Sequence, residues 1–362
     1  MTGASDDREP LIRVTGLRKS FPIVSGIVMR RRIGEVVAVD DVSFDIHPGN
    51  VVGCVGETGS GKSTLGRLIL NLIRPDAGEV WLNGRRIDHL PDSEMRPVRR
   101  DLQIVFQDPL HALNPRRTVA ENIARPLLNF GAARRDALQR VQELLELVGL
   151  NPAHTNRYPH EFSGGQCQRV GIARALALSP KFLFLDEPVS ALDVSVQAQI
   201  LNLLKELQEK LRLTYLFVTH DLKIVKHISD RIIVLYHGRI AEIGDSDDIY
   251  DEPVHPYSRA LLDSVLRIEG DELWERAALR AQDADDESGA SAAEAATATR
   301  RGCIYSDTCP ERFAPCRTTA PKLWTIKPGH TAACHLCDTS LSVSREARRR
   351  PGVPVNEARG EI

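Results

Sequence analysis

Between residues 11 and 55 the chain runs through two β-rich stretches, "IRVTGL" and "EVVAVDDVSFDI", split by polar breaks, and then reaches the apolar run "VVGCVG". That alternation predicts a sheet feeding a loop. From "GKSTLGRLILNL" the apolar spacing turns helical, "GEVWLNGRRI" returns to strand character, and "LQIVFQDP" predicts a short strand ending on a polar residue and a turn. Over residues 133–149, Leu138, Val141, Leu144, Leu145 and Val148 fall on one face of an amphipathic helix closed by Gly149. A second such helix is predicted from Leu192 to Leu211, with Val196, Ile200, Leu203, Leu204, Leu207 and Leu211 along its stripe. Flanking it are two buried strands, "KFLFLDEP" and "LTYLFVTHD", the first ending on two carboxylates and the second on a histidine. Strands alternating with helices predict an α/β fold with a parallel sheet covered on both faces, in which ligands sit beyond the carboxyl ends of the strands.

Composition limits what such a fold can be. At 362 residues, 42% hydrophobic and 27% charged, the chain can bury a full core and leave residues over for a small second module. Its longest apolar runs, such as "RIIVLY", fall far short of the roughly 18–20 residues that cross a bilayer. The start "MTGASDDREP" carries acids and no apolar h-region, so it does not read as a secretory leader, and a cytoplasmic location is expected. A formal net charge of -2 supplies no overall drive toward nucleic acid or an anionic bilayer; any membrane role would come through partners. Around Gly270 the character changes, and "AQDADDESGASAAEAATATRR" has no apolar stripe. The chain therefore divides into a disordered start (1–10), one main unit without internal repeats (11–265), a flexible acidic, Ala-rich linker (266–300), a cysteine-bearing segment (301–338) and a disordered tail (339–362).

The candidate chemistry begins at "GETGSGKST", Gly56 to Thr64, which follows a predicted strand and opens a predicted helix. In such a phosphate loop Gly56, Gly59 and Gly61 let the backbone N–H groups of Glu57, Thr58, Ser60 and their neighbours wrap phosphate oxygens. Lys62 brings a charge to the β and γ phosphates, the Ser63 hydroxyl ligates magnesium, and Thr64 continues the turn. In "FLFLDEP" an apolar strand cannot cheaply bury Asp186 and Glu187, so both are expected to emerge at its tip beside the loop. Asp186 would hold magnesium through water, and Glu187 would polarise the attacking water. His220 could contact the γ-phosphate or hold that water. Gln107 could offer its amide oxygen to magnesium and its NH2 to water, although a surface glutamine before a turn fits the spacing equally well. "FSGGQCQRV", Phe162 to Val170, looks like half of an anion cradle: a serine and paired glycines at a helix start, with no lysine after them.

With the phosphate loop, Gln107, "FSGGQ", "FLFLDEP", "SALD" (Ser190 to Asp193) and His220 in that order, the chain resembles an ABC-transporter ATPase subunit. The resemblance covers roughly residues 11–245. It implies a P-loop NTPase fold with a RecA-like parallel sheet core, an antiparallel β subdomain and a helical subdomain. It also implies that Ser163, Gly164, Gly165 and Gln166 bind the γ-phosphate of ATP held by a second subunit. Asp193 would then lie at the subunit seam, and Phe21 would stack on adenine.

The insertion "PIVSGIVMRRRIGE", the strings "FQDPLHALNPRRTV" and "YPHEFSGGQ", and "HPYSRALLDSV" look like the ATPases of dipeptide and oligopeptide importers, the insertion pointing to the F-type member of a two-ATPase pair. The implied partners are a second, different ABC ATPase, two membrane permeases docked near Asp108 to Phe130, and an extracytoplasmic peptide-binding protein. This places the chain on the cytoplasmic face of the membrane, held by the permeases. Related branches move nickel or other small solutes. A soluble ABC ATPase working on DNA or ribosomes, and a metal- or redox-sensing regulator, are the alternatives from other classes; the paired cassettes or long insertions of the soluble types are not seen.

Cys303, Cys309, Cys316 and Cys334, with Cys337 as a fifth thiol, lie in the segment that in this family often carries cysteines. Seven cysteines in a cytosolic chain argue for metal or redox chemistry where they cluster. Four soft thiolates favour an iron-sulfur cluster or zinc, and the wide gaps among the first three fit zinc knuckles poorly, which favours the cluster. The fourth ligand is Cys334 or its CxxC partner Cys337; free thiols in a folded appendage are the remaining reading.

Overall fold

The apolar runs "FLFLD" and "TYLFVT" become strands buried along their whole length, as strands of a parallel sheet covered by helices on both faces must be. The computed structural model describes residues 9–25, 31–266 and 302–338. Apart from a few residues at their inner edges, the expected disordered ends and the linker lie outside the described residues, as does the middle of the insertion after Phe21.

In chain order the strands are β1 (Ile12–Ser25), β2 (Arg31–Ile46), β3 (Val51–Val55), β4 (Ala77–Leu82), β5 (Arg85–Arg86), β6 (Leu102–Val105), β7 (Phe182–Asp186), β8 (Thr214–Thr219), β9 (Arg231–Tyr236), β10 (Arg239–Asp245), β11 (Trp324–Lys327) and β12 (His330–Ala332). They form two sheets. One is antiparallel, ordered β2-β1-β4-β5; the other has eight strands, ordered β11-β12-β10-β9-β3-β8-β7-β6. From β9 to β6 the larger sheet is parallel, while β10, β12 and β11 add antiparallel strands at its edge.

Side chains alternate between two cores with the period of a strand. Val51, Val55, Leu183 and Leu185 join the core under the helices Val119–Asn129, Arg134–Leu147, Gly164–Leu176 and Val194–Leu211. Val52, Cys54, Phe182 and Phe184 face the other way, into a core shared with the helix Lys62–Ile69 and the antiparallel sheet. Two expectations need correcting. Leu138 is 42% exposed and Ala137, at i−4 from Val141, takes its place in the core, because the stripe through Val141, Leu144, Leu145 and Val148 is centred one helical step away. The helix expected from Leu192 starts at Val194, and its last residue, Leu211, is exposed.

The cysteine segment is joined to the main sheet by backbone pairing: Glu242 and Ile243 of β10 face Ala332 and Thr331 of β12. Glu242 sits fully buried beneath that junction. It accepts the N–H groups of Val254 at 2.8 Å and His255 at 2.9 Å, and its Oε1 lies 2.7 Å from His330 Nε2. Burial alone would raise this carboxyl, yet the hydrogen bonds from His330, Ser258 and the two backbone groups hold it below the ordinary glutamate value. Among the described residues no helix is long and apolar enough to cross a membrane.

Candidate functional site

The loop between β3 and the helix Lys62–Ile69 is shaped by close backbone approach. Gly61 has φ +100°, and a Cβ there would stand 2.0 Å from the Ala38 carbonyl oxygen, so no other residue fits. The loop ends at a helix start, where backbone N–H groups lack intrahelical partners and present an anion site. Lys62 is buried beneath it, its Nζ donating to the carbonyls of Gly56 at 2.7 Å and Glu57 at 2.8 Å. Burial pulls its ammonium below the usual lysine value, against the opposing pull of Glu187 and Asp186.

Asp186 closes β7 but does not emerge as the sequence suggested; it is 5% exposed. Burial is tolerable because the Ser63 hydroxyl donates to its Oδ1 at 2.6 Å and the Arg67 guanidinium lies 3.9 Å from Oδ2. Burial still pushes this carboxyl upward, with the Ser63 hydrogen bond opposing. Glu187 is the residue that turns outward. Its backbone takes φ +46°, its N–H donates to the Val218 carbonyl at 3.0 Å, and its side chain reaches the end of the neighbouring strands. There Gln107 Nε2 donates to Glu187 Oε2 at 3.2 Å, and His220 Nδ1 lies 3.5 Å from the same oxygen.

These groups share one open cleft of about 560 Å³, whose walls include Gly59, Lys62, Ser63, Gln107, Glu187 and His220. Thr58 and Thr64 also face it; Ser60 is buried behind the loop and Glu57 is exposed at its rim. The glycine pair does not line it. Ser163 caps the helix Gly164–Leu176 through a reciprocal pair, its N–H donating to Gln166 Oε1 at 3.0 Å and its hydroxyl accepting the Gln166 N–H at 3.3 Å. Ser163, Gly164 and Gln166 are exposed, whereas Gly165 lies against the next helix, where a Cβ would meet Val196 Cγ1 at 2.4 Å. Asp193, ahead of the helix Val194–Leu211, is exposed too, as is Phe21 on β1, whose ring lies 5.7 Å from the Lys19 ammonium.

A second cluster lies in the C-terminal segment. Cys303, Cys309, Cys316 and Cys334 line one small cavity together with Tyr305 and His255, and Cys337 is not among its walls. Burial raises the Cys303 thiol and lifts Cys309 to about 11; Cys334 is raised by a hydrogen bond with Cys337 and by burial. Among the described residues no group of three or more His, Cys, Asp or Glu side chains stands in ready metal-binding geometry.

Sequence reasoning missed two residues here. Arg67, one helical turn after Ser63, was hidden in an ordinary amphipathic pattern. Tyr257 was visible only as part of "HPYSR", a string with no chemical signature of its own, yet its phenol oxygen accepts the Glu57 N–H at 3.0 Å.

Known proteins resemble the chain over most of its length. The ABC transporter family matches residues 39–190, and the family described as oligopeptide/dipeptide transporter, C-terminal region, matches residues 241–316. The oligopeptide transport ATP-binding protein AppF of Bacillus subtilis is 43% identical over 340 residues, 93% of this chain and 99% of that one. A putative peptide import ATP-binding protein of Brucella ovis is 47% identical over 326 residues, 90% of this chain and 97% of its own. Among solved structures, the ATP-binding cassette MJ0796, a dimer in a post-hydrolysis state bound to ADP and Pi, superposes with a TM-score of 0.57 at 32% identity, covering 65% of this chain and 98% of its own.

Proposed function

The chain belongs to the ATP-binding subunits of peptide-importing ABC transporters, and from that premise we propose how its cleft, its exposed Ser163–Gly164 helix start and its cysteines divide the work. It is an ATPase of the oligopeptide and dipeptide import branch, and ATP and magnesium are what that activity uses. The observation that carries the division is a separation: Lys62, Glu187 and His220 meet in one cleft, while Ser163, Gly164 and Gln166 lie exposed outside its walls.

Each cleft is therefore half a site. Lys62 leaves the carbonyls of Gly56 and Glu57 to bind the β and γ phosphates, and its desolvation is already incurred by the folded chain. Ser163 and the N–H groups of Gly164 to Gln166 from the other subunit close over the γ-phosphate, so ATP joins the two chains. Magnesium, when bound, neutralises charge building on the phosphate oxygens. The oxygens of Ser63 and Asp186, 2.6 Å apart at the cleft floor, and the Gln107 amide oxygen form the donor set a hard cation takes.

In hydrolysis a water oxygen bonds to the γ-phosphorus, the bond to the β–γ bridging oxygen breaks, and ADP and phosphate form. Glu187 accepts the proton that water gives up. Gln107 and His220, both within 3.5 Å of its Oε2, orient that water. Loss of the γ-phosphate removes what the glycine pair holds, and the two chains part. Asp193 at the seam links the two sites, and Phe21, exposed at the sheet edge, stacks on adenine.

The partner at the seam is a second ABC ATPase of different sequence. The two permeases dock against 108–130, where Leu110, Leu128 and Phe130 are exposed, and an extracytoplasmic protein delivers peptide. This holds the chain peripherally at the cytoplasmic face of the membrane. The thiols of Cys303, Cys309, Cys316 and Cys334, which share one cavity, hold an iron-sulfur cluster in preference to zinc; Cys337 backs Cys334 from outside. Because three of these thiols are raised, metal entry displaces protons and is favoured by rising pH.

One preparation tests both parts. The chain is purified anaerobically with its permeases and partner ATPase and reconstituted in vesicles. ATP-driven accumulation of a labelled peptide, with no accumulation of nickel, is expected, together with visible iron-sulfur absorbance and iron in the metal analysis. Nickel uptake without peptide uptake would reject the substrate, and a colourless, metal-free sample that transports normally would reject the cluster.

A further inference from the structure

The helix Pro256–Leu266 opens between the phosphate loop and the cysteine segment, and its second residue touches both. Tyr257 is 1% exposed, and its oxygen holds the N–H of the Gly56–Glu57 peptide at 3.0 Å. The carbonyl of that same peptide is held by Lys62 at 2.7 Å. The peptide is thus pinned at both ends, and one of the two pins must let go when the ammonium moves to a phosphate. Tyr257 is then the anchor that remains.

The other face of the ring points toward the C-terminal segment. Its centroid lies 4.4 Å from that of Tyr236 and 5.5 Å from that of Tyr305, and Tyr236 meets Tyr305 edge to face at 5.2 Å. Tyr305 lines the thiol cavity, and its carbonyl accepts the Cys309 N–H at 2.9 Å. A second contact ties the same helix to the same segment: the Arg259 guanidinium lies 2.6 Å from Glu311. Burial pushes the Tyr257 phenol upward, so at neutral pH it is a fixed neutral dipole. Close-packed tilted and edge-to-face rings and a buried hydroxyl form a stiff connection, since close-packed interiors transmit displacement instead of absorbing it.

We propose that Tyr257 is a positioning residue for the nucleotide site: its hydroxyl anchors the Gly56–Glu57 peptide when Lys62 turns to phosphate, and its packing on Tyr305 makes that anchorage depend on the folded cysteine segment. The inference rests on the reading of this loop as the ATP site. It assigns the C-terminal segment a part in nucleotide affinity and leaves the chemical step to the cleft.

The test uses the full chain in its assembly, titrated with a fluorescent ATP analogue and assayed for hydrolysis. Tyr257→Phe keeps the ring packing and deletes one hydrogen bond. The Kd for the analogue and the KM for ATP should rise about 3- to 10-fold, with kcat within about twofold of wild type. Tyr305→Leu, one ring removed from the loop, should raise Kd in the same direction, and the double variant should be no weaker than the worse single one. Tyr305→Phe should bind as wild type does, which separates loss of the ring packing from loss of the phenol. Wild-type Kd and KM in Tyr257→Phe would overturn the positioning role, as would a fall in kcat at unchanged KM. Additive effects in the double variant would overturn the coupling to the cysteine segment. Lys62→Ala is the control: undiminished binding there would mean that the reading of the loop has failed, independently of Tyr257.

Discussion

Glu187 holds a left-handed backbone at φ +46°, a conformation costing a non-glycine residue about 1 kcal/mol. The strain turns the carboxylate out of the strand line, so that adjacent carboxylates serve different ends: Asp186 faces down to Ser63 and Glu187 outward to Gln107 and His220. Glu187→Gln keeps size and hydrogen bonding but removes the proton acceptor. Single-turnover hydrolysis should fall about 100-fold or more, while the Kd for ATP stays within about threefold of wild type. Unchanged turnover would remove Glu187 from the proposed role. At this scale the sequence was informative wherever chemistry sits at a strand end, because an apolar strand followed by polar residues names its own tip. It misplaced Asp186, since the hydroxyl that lets that carboxylate be buried comes from a residue 123 positions earlier. Leu138 was misread for a related reason: a one-residue ambiguity in helical phase decides which of two apolar neighbours faces the core.

Among the elements, the long helices and the buried strands were legible from period and apolar length. The short strands β11 and β12 were not, because three or four residues carry no period and the cysteines around them dominate the pattern. The pairing of β12 with β10, extended by β11, is what brings the cysteine segment against the "HPYSR" helix start. His255, at the start of that turn, is 3% exposed, and burial pushes its imidazole down to about 4. In the unfolded chain an imidazole takes its proton near pH 6.5, whereas the folded chain resists until about pH 4. The contribution is therefore complete above about pH 6.5 and is lost as pH falls toward 4, on the order of 3 kcal/mol at the acid limit. Glu242, with its lowered folded value, loses stability in the same direction as acid titrates it. Melting of the full chain followed from pH 8 to pH 4.5 should show Tm falling below about pH 6.5, and His255→Gln should flatten that fall. A wild-type Tm independent of pH across the window would contradict the buried neutral imidazole.

For the molecule as a whole, two cores on opposite faces of one sheet fix the cleft at the carboxyl ends of β3, β6, β7 and β8, where the loops between strand and helix converge. The same architecture keeps the glycine pair away from that cleft, on the helix Gly164–Leu176, whose start is exposed while its body is buried. A serine and two glycines without a cation are a poor anion site alone and a good one when another chain supplies the ammonium. The most direct measurement is a structure of the Glu187→Gln assembly with ATP and magnesium bound. Ser163 and the N–H groups after it should lie within hydrogen-bond distance of the γ-phosphate of an ATP seated in the partner subunit's phosphate loop; Ser163 facing bulk water, with the triphosphate enclosed by one chain, would contradict the account.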